Sequence, residues 1–393
     1  MTTSPAIPAT APGNGTEARE RATWAELFYD LMLVFALTQI AHLVAGHPSW
    51  SALGKMLLLL APLWWGWVGN TLLANTTRET NAHRMLLFGG GLLTFVMAVA
   101  APHALYDARG EAVAYAGAYL ALRLLLAVAV HRQGAFPAVN PYSVAVVTAA
   151  AMLGAAALPT GPRAAVWAVA VLVELATPVL LGRRLHGLAF GPSHLPERFG
   201  LCVIIALGES VLSVGARATE QHLTATLVAV LGLTFAVGAS LWWLYFTFAA
   251  SAVEHALRTH PVPALVVRDV LGYGHFALVT GAAVTAAGLS STVADPTHVP
   301  HTALAASLLP GGAALFTLTF CYTRWRMYGA ASVQRLTGGV LLLVLAVLAS
   351  HLTVLATLAA TAALLVALNV FENRWIASGR PLLLVPRPRP AAH

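Results

Sequence analysis

Stretches of about 20 mainly apolar residues, the length a helix needs to cross a hydrocarbon layer of roughly 30 Å, recur along almost the whole of this chain. They fall near 26–45, 52–74, 85–104, 112–130, 142–159, 164–182, 198–216, 222–250, 262–289, 302–321, 336–350 and 353–371. The last two are the ambiguous pair, because 336–371 has no proline or glycine after Gly339 and only His351 marks a turn, so one helix or two would fit. The pattern predicts an all-α integral membrane protein of about twelve transmembrane helices.

Composition strengthens that expectation. Of the 393 residues 58% are hydrophobic and 9% charged, whereas soluble domains carry about a quarter charged residues, so a water-exposed surface cannot be assembled from this set. The basic residues settle the number of spans. All 22 are Arg except Lys55, and alternating helices that start in the cytoplasm collect seventeen of them on that side. The other side receives Lys55, Arg109, Arg163 and Arg217, and Arg123 remains within a span. Eleven spans would carry Arg374, Arg380, Arg387 and Arg389 outside, against the excess of positive charge that cytoplasmic segments show. Twelve spans with both termini cytoplasmic is the better count. The net charge of +7 is scattered between apolar runs, which speaks for a membrane-side distribution and against nucleic acid. Cys202 and Cys321 form no metal-type pair and read as packed thiols. Residues 1–22 read as a disordered cytoplasmic tail without a signal peptide, and 377–393 as a Pro/Arg-rich cytoplasmic tail. No GxxxxGK[ST] or GxGxxG stands in a strand-to-helix setting, which disfavours nucleotide chemistry.

Two segments half a chain apart read alike. Glu26-Leu27-Phe28 opens the first span and Glu197-Arg198-Phe199 the seventh, with Gln39 and Ser210 each thirteen residues beyond the Glu. Leu63-Trp64-Trp65-Gly66-Trp67 answers Leu241-Trp242-Trp243-Leu244-Tyr245, and Arg84 with Gly89-Gly90 answers Arg268 with Tyr273-Gly274. Six spans separate the copies, so a duplication would be of the parallel 6+6 kind, with halves 23–186 and 187–376. Chance likeness among Leu- and Trp-rich helices is the alternative. The Trp clusters themselves fit packing better than a substrate path.

An ionisable side chain within a span costs about 2.5 to 3.5 kcal/mol on insertion scales, so it faces a partner or a cavity. Glu26 and Asp30, four apart, share a face of the first helix near its cytoplasmic rim. They suit a proton-binding group or a shared cation, and Glu26 alone suits an acidic first turn on the helix dipole. Glu209, between Gly208 and Ser210 about 18 Å along its helix from Glu197, lies near mid-membrane, with Arg123 as the obvious mate. Arg268 and Asp269 could satisfy each other, and His275 stands two turns on. Gln39 and His42 extend the polar stripe of the first helix, while Glu174 has no basic neighbour in sequence. His194, Glu197 and Arg198 stand together at the entrance to the seventh span, where Pro196 would start the helix and leave His194 outside it. The proton-transfer candidates are Asp30, Glu209 and His275. The substrate-binding candidates are Glu26, Gln39, Arg123, Glu197, Arg198, Arg268 and Asp269. No metal site is compelling, the weak candidates being Glu26, Asp30, His194 and Glu197.

At these residues the chain resembles a known family. Glu26-Leu27-Phe28-Tyr29-Asp30-Leu31 with Phe35-Ala36-Leu37-Thr38-Gln39 and His42, and His194-Leu195-Pro196-Glu197-Arg198-Phe199-Gly200 with Ile204-Ile205-Ala206-Leu207-Gly208-Glu209-Ser210, resemble the bacterial low temperature requirement A (LtrA) family. Trp242 to Phe246 and Tyr273-Gly274-His275 fit its later pattern. Tyr29 stands where members often have Phe, and Pro196 replaces a small residue. The resemblance implies a multi-pass protein of the bacterial inner membrane and no settled chemistry. With midplane carboxylates and duplicated halves, the expectation is a proton-coupled secondary transporter of an unknown small molecule. The alternative is a membrane-embedded acid/base enzyme, an isomerase, cyclase or transferase acting on a lipid or isoprenoid. Mg²⁺ would enter only there, held by Glu26, Asp30 and Glu197 on a diphosphate clasped by Arg198 or Arg84; no DDxxD or DxDD accompanies it.

Overall fold

The computed structural model describes residues 22–76, 80–133, 139–182, 191–247, 249–293, 295–380 and 383–386. The expected N-terminal tail, apart from Ala22, the boundary at 186/187 and most of the C-terminal tail lie outside the described residues. The chain is built almost wholly of helices: α1 Trp24–Gly46, α2 Trp50–Thr76, α3 Asn81–Ala104, α4 Arg109–Gln133, α5 Pro141–Ala155, α6 Thr160–Leu180, α7 His194–Ala218 and α8 Ala225–Phe246. A short α9 Ala249–Thr259 follows, then one span made of α10 Pro263–Val266, a π-helical stretch Val267–Gly274 and α11 His275–Ser290. Helices α12 Ala303–Tyr328, α13 Val333–Leu348 and α14 Val354–Ala377 complete the bundle.

Among the described residues, eleven helical segments are long and apolar enough to cross a membrane. Each corresponds to an expected span, and the remaining span, expected over 142–159, is the 15-residue α5. At 1.5 Å per residue α5 reaches about 22 Å, short of the hydrocarbon thickness. Proline sets both of its limits. Pro141 begins it under an Asn140 cap that accepts from the amides of Tyr142 and Ser143 at 2.9 and 3.1 Å. Pro159 keeps Leu158 out of helical backbone and has no amide hydrogen, so the helix cannot run on past it.

The stretch 336–371 resolves into two helices, with a 3₁₀ turn at Ala349–His351 between them. No proline or glycine breaks it; the partners are tertiary. The amides of Val354 and Leu355, orphaned by the new helix start, donate to the carbonyls of His298 and Pro296 at 3.0 and 2.8 Å, and Thr353 caps Ala356.

Packing runs in sequence order within two groups. In the first, α1 lies on α3, α3 on α4, α4 on α5 and α5 on α6, with α2 against α1, α4 and α6. In the second, α7 lies on α11, α11 on α12, α12 on α13 and α13 on α14, with α8 against α7, α12 and α14. The groups meet where α1 and α2 touch α7 and α11. Helices α11 and α12 approach most closely through glycines: a Cβ on Gly281 would stand 2.8 Å from the Phe316 nitrogen and 2.9 Å from the Gly312 oxygen. Small residues bring helix backbones together where lipid offers no hydrophobic drive. Large apolar side chains such as Leu92, Val147, Leu172 and Val347 stand exposed around the bundle, as a lipid-facing wall requires.

Arg163, 1% exposed, meets no carboxylate among the described residues; it donates to the carbonyls of Ala104, Tyr106 and Leu158 at 2.9–3.3 Å and so closes the C-terminal end of α3. Arg217 does the same for α11 through Ser290 O at 2.8 Å. At the other end, β1 Ala330–Ser332 pairs antiparallel with β2 Leu384–Pro386, returning the chain to the start of α13.

Candidate functional site

The first turns of α1 and α7 face each other. Thr23 and Glu26 form a reciprocal capping box, Glu26 Oε2 accepting from the Thr23 amide at 2.8 Å and Thr23 Oγ1 from the Glu26 amide at 3.3 Å. This caps the helix and fixes the carboxylate above Asp30. On α7, His194 is the first helical residue, so Pro196 falls within a first turn that needs no amide hydrogen. The expectation that His194 lies outside the helix is therefore corrected, and four residues separate it from Arg198 on the inner face.

Two carboxylates and two bases thus interlock. Arg198 donates to Glu26 Oε1 at 3.2 Å and to Asp30 Oδ1 at 2.5 Å, and His194 Nε2 lies 3.3 Å from Glu26 Oε2. Trp67 Nε1 donates to Asp30 Oδ1 at 2.7 Å, and Asn75 Nδ2 meets His194 Nδ1 at 3.2 Å. Asp30 and Arg198 are fully buried. Asp30 Oδ2 and Arg198 Nε have no hydrogen-bond partner among the described residues. Two carboxylates against one guanidinium leave one negative charge, balanced when a proton sits on His194 or on a carboxyl.

An aromatic layer closes the cluster. The Trp64 and Trp67 rings stack at 5.1 Å, Phe199 meets Trp67 edge-on at 4.8 Å, and His275 meets Phe199 at 5.1 Å. Trp64 Nε1 donates to the Gly272 carbonyl of the π-helical stretch at 3.0 Å. His275, expected as a proton carrier, has both ring nitrogens engaged: Nδ1 with Val270 O at 2.9 Å and Nε2 with the Tyr245 hydroxyl at 2.8 Å. A carbonyl only accepts, so Nδ1 carries hydrogen; in the neutral ring Nε2 then accepts from Tyr245. In this structure it ties α8 to the π segment and reaches no carboxylate.

The expected Arg123–Glu209 bridge is not formed. Arg123 pairs instead with Glu174 of α6 at 2.7 Å; Tyr119 OH also donates to that carboxylate, and Thr148 Oγ1 lies 2.5 Å from its other oxygen. Arg123 donates further to Tyr119 OH and Trp65 O. Glu209, partly buried, makes no hydrogen bond or ion pair among the described residues. It lines a cleft between α1, α7 and α11 with Thr38, His42, Ser210, Ser213 and Ser290, of about 30 Å³, room for about one or two waters. Gln39 faces a separate recess of about 360 Å³ with His42, His47 and His103.

Glu197 is exposed and takes no part in the cluster, because it stands about 60° round α7 from His194 and about 100° from Arg198, outside the buried face those two share. The set considered for Mg²⁺, Glu26, Asp30 and Glu197, is therefore not brought together. Among the described residues no group of three or more His, Cys, Asp and Glu side chains could hold a metal ion. Arg268 and Asp269 do pair, at 2.6 Å, and Arg326 of α12 joins Asp269 from the other side.

One buried pair went unforeseen: Arg335 and Glu372 join α13 to α14 at 3.0–3.3 Å. Its sequence signal was a lone carboxylate beside the last apolar run.

The model of the family described as "Bacterial low temperature requirement A protein (LtrA)" matches residues 21–370. An uncharacterized protein of Rhizobium meliloti (strain 1021) is 30% identical over 296 residues, 70% of either chain. No solved structure matches.

Proposed function

This chain belongs to the bacterial low temperature requirement A family, and from that premise we propose that it is a proton-coupled secondary transporter of a small molecule in the bacterial inner membrane. The observation that carries the reading is the buried cluster of Glu26, Asp30, His194 and Arg198, which joins the first group of helices to the second with one acid in excess. Its neutrality requires a proton, and a proton arriving on or leaving Asp30 changes the hold of α1 on Arg198. A charge buried without its partner is costly, so protonation biases the fit between the two groups. Such a bias is what alternating access uses.

Three further observations support it. The neighbour order recurs from one group to the other, and the N-terminal ends of α1 and α7 meet, as a parallel 6+6 arrangement has it. At residue level the likeness is looser: Glu26 is buried where Glu197 is exposed, and Trp64 where Trp242 is 44% exposed. The cleft holding Glu209 lies between the same groups, eleven residues along α7 from Arg198, or about 16 Å. The crowding of arginines at the Glu26 end fits a cytoplasmic position for that end and for both termini. The isoprenoid-enzyme alternative finds less support, because Glu26 and Asp30 are engaged by Arg198, and Asp30 also by Trp67.

The test is transport by purified protein in vesicles loaded with a pH-sensitive dye, under an imposed pH gradient, across a panel of solutes. A solute that drives proton movement in the wild type should drive none through Asp30→Asn. Unchanged coupling in that variant, or turnover of a prenylated compound without any gradient, would overturn the proposal.

A further inference from the structure

We propose a second binding site, for a phosphate group, in the recess between α9, α12, α13 and α14. The recess has a volume of about 350 Å³ and is separate from the α1–α7 cluster. Its polar wall carries Arg324, Arg335, Glu372 and His255, and Phe320 lies on its apolar side.

The charge is unbalanced. Arg335, 5% exposed, spends Nε and Nη2 on Glu372 and has no hydrogen bond from Nη1 among the described residues. Arg324 is half-buried, forms no ion pair or hydrogen bond among the described residues, and its Nε is buried without a partner. Its guanidinium is left with the face of Tyr328, 5.6 Å away. Among the described lining residues, two guanidiniums against one carboxylate leave one positive charge in excess.

The other described arginines that are not exposed are handled differently. Arg123, Arg198, Arg268 and Arg326 each meet a carboxylate, and Arg163 meets three carbonyls. An arginine left with unused donors in a roomy recess beside a second arginine is the arrangement that takes an oxyanion with several acceptor oxygens. Guanidiniums match phosphate through forked hydrogen bonds. The apolar side suits the carbon skeleton that carries the phosphate. That phosphate is either the headgroup of an anionic lipid or a soluble phosphate, and the two differ in how they reach the site.

The experiment uses the full-length protein in a non-ionic detergent. In one arm phosphatidylglycerol is titrated into the micelles; in the other inorganic phosphate is titrated against chloride at matched ionic strength. Melting temperature and apparent Kd are read in both. At least one ligand should stabilise the wild type, and Arg324→Gln should weaken its binding at least about tenfold, as loss of a charged hydrogen-bond donor implies. Binding in the lipid arm alone assigns a headgroup, and binding in the phosphate arm assigns a soluble ligand. Should Arg324→Gln not be monodisperse, His255→Glu, at an exposed position on the rim, gives the comparison and should weaken binding several-fold by repulsion. Absence of stabilisation in both arms, or wild-type affinity in the variant measured, overturns the site.

Discussion

Replacing Glu174 with Gln separates the charge of the α4–α6 network from its shape. Three side chains point donors at this carboxylate: Tyr119 and Arg123 at Oε2, and Thr148 at Oε1. A Gln can keep its carbonyl toward Tyr119 and Arg123 and turn its amide to Thr148. The Thr148 hydroxyl then donates to Ala145 O, already 3.0 Å away, and accepts from the amide. Every hydrogen bond survives and only the negative charge is lost. Arg123, 3% exposed, is left with neutral acceptors alone. Breaking a buried pair on one side costs about 3–5 kcal/mol, and the surviving acceptors put this case near the lower end, about 3 kcal/mol. Arg123→Met, which strands the carboxylate, should cost a similar amount. The double variant is neutral again and should lie within about 1–2 kcal/mol of wild type, since apolar replacement of whole ion pairs is often tolerated. The cycle should therefore show a coupling of at least about 3 kcal/mol, measured by unfolding in mixed micelles followed through tryptophan fluorescence. Single effects that add within about 0.5 kcal/mol would refute the view that these two charges neutralise each other.

Thr23→Ala removes the cap on α1 and should lower stability by about 1 kcal/mol in the same unfolding assay, and no loss would mean that α1 starts elsewhere. Gly281→Leu drives a side chain into backbone atoms of α12 and should cost about 3 kcal/mol or more, seen as a collapsed monodisperse peak in size exclusion; wild-type behaviour would contradict the close crossing. With Cys202 and Cys321 buried, Arg84→Cys and Arg109→Cys, both at exposed positions, should each react with an impermeant maleimide from opposite faces of the membrane. Labelling of both from one face would overturn the alternation of spans that places Arg84 and Arg109 on opposite sides.

Much of this architecture was legible because the bilayer is a simple ruler: run length marked the spans, and arginine placement predicted that 336–371 is two helices. Its break lay beyond reach in detail, since the carbonyls that receive Val354 and Leu355 come from a loop more than fifty residues earlier. The i,i+4 spacing of Glu26 and Asp30 was readable from helix geometry, and so was their shared face. Glu197 misled because adjacency to Arg198 suggested a shared role, whereas 100° per residue turns the two apart. Arg123 was matched to the wrong acid for a related reason. Local sequence carries no record of which of two carboxylates, 51 or 86 positions away, packing will bring near.

The π-helical stretch Val267–Gly274 has one more consequence. A π turn accommodates an extra residue relative to an α-helix, so the segment before it and the segment after it are indexed about their common axis independently. Asp269, in the first turn of the stretch, meets Arg326 in one phase, while His275, Gly281 and Gly288 are seated by the other. Deleting a single residue within those eight would let an uninterrupted α-helix form and swing one set by about 100° relative to the other. Length variants among relatives at this point would thus be changes of azimuth, exchanging which partners the span addresses on one side while leaving its neighbours on the other untouched.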